Sequence, residues 1–237
     1  TRLREGDRLV AALAGSTRAT CVFFSSFGAA YTLRIADIPA TTGHGEPIQR
    51  FFKLKDHERI VAAMSLDPRM APKIMPDHEG GEPPHHAVAV TSDGYSLRFS
   101  LAPFLDPSTR SGRRFARPTS GAQVVDVAQT TGAEVIIAVT AQARAMLCAI
   151  DEVNFLSGAG KGVILLKLPP GTDQVLGFIA STGDRDLLTV ETNRGASQTV
   201  STAKYGVTGR GGKGRELLQR GQFARVIPRP VTVPTLE

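Results

Sequence analysis

The stretch Thr208-Gly209-Arg210-Gly211-Gly212-Lys213-Gly214-Arg215 sets three cations on a backbone with few side chains in the way. Its glycine-basic box, Gly209, Arg210, Gly211, Gly212, Lys213 and Gly214, lets main-chain N–H groups and basic side chains approach one phosphate backbone together. Further cations stand in comparable stretches: Arg220 just beyond the first, then Arg110, Arg113, Arg114 and Arg117 with no acid between them. Lys161 and Lys167 form a third group, and Arg50, Lys53 and Lys55 a fourth. These residue types offer neutralisation of phosphates, which holds a polyanion in place without reading its bases.

Nucleophiles and metal ligands show no comparable order. No P-loop, nucleophile elbow or zinc spacing occurs, so no catalytic residue, metal or cofactor is expected. The segment Asp67–His86 holds Pro68, Pro72, Pro76, Pro83 and Pro84, with His78, His85 and His86 near Asp77, Glu79 and Glu82. Proline cannot donate to a strand ladder, so this segment reads as a solvated surface loop and not a metal site. His57 beside Asp56 reads as a turn histidine. Cys21 and Cys148 lie in apolar runs and read as buried free thiols, with a single disulfide left open. Tryptophan is absent and tyrosine numbers three, which argues against base stacking as the main binding mode. Phe23, Phe24, Phe51, Phe52 and Phe178 are core candidates.

A chain of 237 residues with 41% hydrophobic content can bury one all-β domain of ordinary size or two small ones. No apolar run approaches the roughly 18 residues of a membrane-spanning helix. The start, Thr1 to Asp7, has no apolar signal-peptide region and reads like a cut inside a longer protein. The net charge of +6 favours a polyanionic partner modestly, and the excess is spread along both halves.

The elements that must position these cations recur. Four apolar runs each lead into a tight turn: Cys21–Phe24 with Gly28, Ala87–Val90 with Gly94, Val135–Val139 with Ala143, and Leu187–Val190 with Gly195. From each turn a later glycine follows at 17 or 18 residues: Gly45, Gly112, Gly160 and Gly212. Short apolar runs come next, Ile48–Leu54 resembling Val163–Leu168. Strand openings at Asp7–Val10, Glu58–Val61, Ala122–Val125 and Asp173–Leu176 start successive units, and Gln222–Ile227 is an incomplete fifth that closes a sheet with the N-terminal end. The chain thus divides into units at roughly 5–56, 57–120, 121–171 and 172–237, forming one domain over 1–237. Short strands with glycine-bearing turns predict an all-β fold, and four-stranded units of about fifty residues fit propeller blades that must stack to bury their faces. Helix is confined to single turns at Ala36–Ile38 and Ile150–Val153.

The run Cys21-Val22-Phe23-Phe24-Ser25-Ser26-Phe27-Gly28-Ala29-Ala30-Tyr31 resembles the strand–"S/T-x-x-G"–strand hairpin of the C-terminal domain of the A subunit of bacterial type IIA topoisomerases, DNA gyrase and topoisomerase IV. Ile35–Pro39 with Gly43–Ile48, and Ala149–Val153 with Gly160–Val163, repeat that family's order, and the resemblance covers nearly the whole chain. It implies a β-pinwheel, a propeller-like disc of about four blades with one more partial, whose basic rim bends double-stranded DNA. It also implies two partners in the bacterial cytoplasm: the rest of the A subunit, and through it the ATPase B subunit. The family's cleaving tyrosine lies in another domain, so Tyr31, Tyr95 and Tyr205 are not candidates. Arg210-Gly211-Gly212-Lys213-Gly214 matches the last five positions of the gyrase box Q-R-R-G-G-K-G. Here the match falls in the last unit instead of the first, which leaves gyrase and topoisomerase IV undivided, and the handedness of any wrap with them. The isolated domain is expected to be monomeric. A propeller that binds proteins through its face, with no DNA wrapping, is the alternative.

Overall fold

In the computed structural model, residues 3–72 and 85–235 are described. The first half supplies β1 (Thr20–Ser25), β2 (Ala29–Arg34), β3 (Ile60–Ser65), β4 (His86–Thr91), β5 (Tyr95–Ser100) and β6 (Arg113–Arg114). Next come β7 (Val124–Thr130), β8 (Val135–Thr140), β9 (Arg144–Ala149), β10 (Phe155–Leu156) and β11 (Val163–Ile164). The last are β12 (Val175–Ser181), β13 (Leu188–Thr192), β14 (Ser197–Val200), β15 (Arg215–Glu216) and β16 (Phe223–Ile227). Among the described residues no helix is long and apolar enough to cross a membrane.

Four hairpins, β1–β2, β4–β5, β8–β9 and β13–β14, organise four sheets. Their shared turn has a side-chain cause. The hydroxyl that opens each turn accepts the amide four residues on: Ser25 from Ala29 (3.1 Å), Thr91 from Tyr95 (3.1 Å), Thr140 from Arg144 (3.3 Å) and Thr192 from Ala196 (3.1 Å). The residue before that amide is left-handed, glycine in three turns and Ala143 (φ 56°) in the other.

Each hairpin borrows strands from later in the chain. A strand of the next repeat closes it antiparallel: β3 on β1, β7 on β4, β12 on β8 and β16 on β13. A two-residue strand from the following glycine loop seals the other edge: β6 on β2, β11 on β5 and β15 on β9. Among the described residues β14 receives no such strand, so the fourth sheet has three strands.

Strand periodicity then sends alternate residues of one strand into different layers. Val22 and Phe24 of β1 pack with Ala87 and Ala89 of β4 between the first and second sheets. Val88 and Val90 point the other way and meet Ile136 and Ala138 of β8. Ile137 and Val139 in turn meet Leu188 and Val190 of β13. This two-sided burial is why the first strand of each of the first three hairpins reads as a nearly continuous apolar run. Three of the aromatics read as core are buried, Phe24, Phe52 and Phe178, while Phe23 and Phe51 are half-buried against Phe52.

Four expectations are corrected. Asp7–Val10 opens no strand, β1 being the first among the described residues. His86, read as part of a solvated loop, is buried at the start of β4. Gln222–Ile227 does not join the N-terminal end; its strand, β16, pairs with β13. It occupies the phase of β3, β7 and β12, each of which closes the hairpin just before it. Ile48–Arg50 is a single 3₁₀ turn instead of the strand seen at Val163–Ile164. Pro47 precedes it, and no earlier hairpin stands among the described residues to receive a strand there. The expected helical turns appear as 3₁₀ turns at Ile35–Asp37 and Ile150–Glu152.

Candidate nucleic-acid interface

The candidate cations are positioned by the junctions between repeats. The carbonyl of Gly28 accepts the amides of Phe115 (2.9 Å) and Ala116 (3.2 Å), and that of Gly94 accepts Leu165 (2.9 Å) and Leu166 (3.1 Å). One residue further, the amide of Arg117 donates to the Gly160 carbonyl and that of Lys167 to the Gly212 carbonyl, each at 2.8 Å. In the first unit the Lys53 amide donates to the Arg110 carbonyl at 2.7 Å. Lys53, Arg117 and Lys167 therefore occupy one equivalent place at three successive junctions, and all three are exposed. Gln219 is their counterpart in the fourth unit.

This bonding also resets the alignment of the glycines. Counting back from the three cations brings Gly112 level with Gly162 and Gly214, not with Gly160 and Gly212, and puts Ile48 at that place in the first unit. Gly162 shows why the place is glycine: its φ is +84°, and a Cβ there would fall onto the Ser96 carbonyl of the sealed hairpin. Gly112 and Gly214 repeat this against the carbonyls of Ala30 and Ala145, each 2.8 Å from a Cβ position. Gly45 shares the left-handed φ, but nothing lies within 4 Å of it.

The thirteen candidate cations separate into groups. Four arginines are tied to carbonyls of neighbouring segments. Arg110 reaches Gln49 and Arg50 (3.4 Å each), Arg113 reaches Pro103, Arg114 reaches Phe27 (3.2 Å), and Arg210 reaches Glu152 (2.8 Å) and Ile164 (3.4 Å). Arg50 is paired with Glu46 at 2.8 Å. Lys161 sits 3.8 Å over the Tyr95 ring, and Arg215 lies 5.7 Å from that of Tyr205. The side chains of Lys53, Lys55, Arg117, Lys167, Lys213 and Arg220 have no hydrogen bond or ion pair among the described residues. All four cations tied to carbonyls are arginines, whose guanidinium carries several N–H donors, and four of the six left in water are lysines.

Arg98 was not among the sequence candidates. It lies on β5 and donates Nε to the Val153 carbonyl at 2.6 Å and Nη2 to that of Asp151 at 3.2 Å. A lone arginine inside Tyr95-Ser96-Leu97-Arg98-Phe99-Ser100 was the available signal.

The remaining titratable groups are structural. Burial pushes the thiols up, Cys21 to about 11 and Cys148 to about 12, so neither is a thiolate at neutral pH. They are free and sit in separate cores. Burial and the hydrogen bond to Glu58 (2.9 Å) raise the Tyr31 hydroxyl well above its ordinary range. His57 is left-handed (φ 63°) within its turn. Among the described residues no group of three or more His, Cys, Asp or Glu is placed to hold a metal ion. Residues 73–84 of the proline- and histidine-bearing segment, His78 included, lie outside the described residues.

Hairpins that exchange strands with the next repeat, sheet after sheet, define a β-pinwheel, a propeller-like architecture. A sequence profile of the DNA gyrase C-terminal domain, a beta-propeller, matches residues 19–67 and 134–182, which hold the first and third hairpins. The DNA gyrase A protein of Aminobacterium colombiense is 27% identical over 216 residues, 90% of this chain and 24% of that protein. The Escherichia coli K12 gyrase A protein is 26% identical over 215 residues, 90% of this chain and 23% of that protein. The crystal structure of the C-terminal domain of DNA topoisomerase IV matches with a TM-score of 0.82 at 19% identity, covering 95% of this chain and 68% of that one. The DNA gyrase A C-terminal domain matches with a TM-score of 0.65 at 19% identity, covering 97% and 72%. The chain is thus similar in sequence to the C-terminal region of DNA gyrase A and shares its fold with the C-terminal domains of gyrase A and topoisomerase IV. It spans about a quarter of the length of the gyrase A proteins it matches.

Proposed function

We propose that this chain binds duplex DNA without sequence preference and bends it along a basic rim, as the accessory C-terminal domain of a type IIA topoisomerase A subunit. The observation that carries this reading is the repetition of Lys53, Arg117 and Lys167 at one bonded position across three junctions. Cations at equal phase in stacked repeats make a track, which a single cluster would not. Lys55, Lys161, Lys213, Arg215 and Arg220 extend it. Bending a 20–30 bp site by 40–90° costs on the order of 1–6 kcal/mol, which six to ten phosphate contacts offset and two or three do not. In this reading the A-subunit remainder holds the cleaving tyrosine and the B subunit hydrolyses ATP. The domain presents the DNA segment on the bacterial nucleoid, working as a monomer without a cofactor.

Binding to unrelated duplexes at several salt concentrations tests this. Replacing Lys53, Arg117 and Lys167 together by Ala is expected to weaken all duplexes alike. It should flatten the slope of log K against log salt by about 2.7, at roughly 0.9 per phosphate. A loss confined to one sequence, or an unchanged slope, overturns the reading.

A further inference from the structure

The 3₁₀ turn Ile150–Glu152 is grasped from both sides. Its core anchors, Ile150 and Val153, are fully buried. From the second hairpin, Arg98 takes the carbonyls of Asp151 (3.2 Å) and Val153 (2.6 Å). From the fourth unit, Arg210 takes the carbonyl between them, that of Glu152, at 2.8 Å, and reaches on to Ile164 at 3.4 Å. The Glu152 carboxylate returns the contact by accepting the main-chain N–H of Arg210 at 3.2 Å. Three consecutive carbonyls of the third unit are thus held by guanidinium groups of the two units flanking it. Burial presses Arg98 toward losing its charge, and the Asp151 carboxylate opposes that.

We infer that Arg98 and Arg210 are positioning residues: together they clasp the Ile150–Glu152 turn and set how the second and fourth units sit on the third. Arg210 then serves DNA through the shape of the rim and not by touching a phosphate. The inference about DNA rests on the function proposed above; the clasp itself does not. The first junction carries a simpler version, in which Arg110 reaches the carbonyls of Gln49 and Arg50. A planar fork makes such paired contacts, and a lysine of the same charge does not.

That difference gives the test. Arg98→Lys, Arg98→Ala, Arg210→Lys and Arg210→Ala are compared with Lys213→Ala in the full chain. Without DNA, hydrogen exchange at the Gly211 and Lys167 amides, which bond to Leu165 and Gly212, is expected to quicken at least tenfold in Arg210→Lys and Arg210→Ala alike. The Asn154–Arg98 backbone bond is the corresponding reporter for both Arg98 variants. Unaltered circular dichroism excludes global unfolding as the cause. With DNA, all four variants are expected to keep the salt slope to within about 0.3, whereas Lys213→Ala lowers it by about 0.9. The linking-number change per bound chain should fall at least twofold in the Lys and Ala variants of both arginines. Wild-type exchange and topology in the Lys variants would overturn the clasp. So would a slope lost in Arg210→Ala and restored in Arg210→Lys, because that marks a phosphate contact. If the wild-type chain leaves linking number unchanged, the DNA reading fails, and the exchange arm still decides the clasp.

Discussion

The loops of the first and third units stand at the same phase of the repeat and do different things. In the third, Gly160-Lys161-Gly162 leads into β11, which seals the hairpin before it, and Lys161 lies over Tyr95. In the first, the equivalent residues are Glu46-Pro47-Ile48; Glu46 pairs with Arg50, and the chain curls into a 3₁₀ turn. Behind that turn, Phe52 packs on Tyr31 (ring centroids 5.1 Å apart) and Phe23 (6.4 Å), covering the outer face of the first sheet. At the other end, the outward residues of the fourth sheet are polar: Thr189, Glu191 and Thr199, with Arg225 holding Glu191 at 2.7 Å. A repeat position is therefore a lock where a preceding hairpin exists to receive it and a cap where none does. Glycine is required only by the first role.

Substitution at two left-handed glycines is the severest way to break this contrast. Gly162→Ala adds a Cβ onto the Ser96 carbonyl as well as left-handed strain, and is expected to cost about 3 kcal/mol. Gly45→Ala has the same φ with open space around it and should cost about 1 kcal/mol, the strain alone. Urea unfolding midpoints of the two variants measure the difference; equal losses would mean that Gly162 locks nothing.

Acid titration gives a smaller effect that separates carboxylates held by hydrogen bonds from one dominated by burial. Near the first sheet, Asp67 is held well below the usual carboxylate range by hydrogen bonds from Arg69 and from the amides of Ser16 and Arg69. Glu134 is also lowered: the Thr130 hydroxyl and the Thr131 amide and hydroxyl outweigh its burial. Stability from these two is present above their unfolded pKa near 4 and is lost as pH falls below it. Asp126 on the interior strand β7 is the opposite case, raised by burial to about 6 although Arg229 and Arg8 act against the rise. Its unfolded form ionises first, so stability falls as pH rises from about 4 to about 6 and then levels. Asp126→Asn should abolish that fall, and Asp67→Asn should flatten the acid limb. Both are read from thermal midpoints between pH 3 and 7.

Much of this architecture was legible in the chain. The hairpins could be read because Ser25, Thr91, Thr140 and Thr192 stand at a constant distance before a left-handed residue, a purely local signal. The three doubly buried strands could be read from their unbroken apolar runs. Strand exchange was harder, since β6, β11 and β15 are two residues each and pair far along the chain. The glycine register slipped for a related reason: Gly43 and Gly45 mimic the lock by composition, while the bonded position three residues later is Ile48. The cations were found as a set, but composition does not separate Arg210, turned toward carbonyls, from Lys213, left in water. That distinction depends on Glu152 and Ile164, about fifty residues earlier, and Arg98 escaped notice because its partners lie equally far off.

The measurement closest to the central claim is DNA topology. Relaxed, nicked circles religated with saturating chain at low salt are expected to show a shifted linking-number distribution. The Lys53, Arg117 and Lys167 triple alanine variant, folded by circular dichroism, should give the distribution of the protein-free control. An unshifted wild-type distribution, or a triple variant that shifts it fully, would contradict a belt of cations bending the duplex.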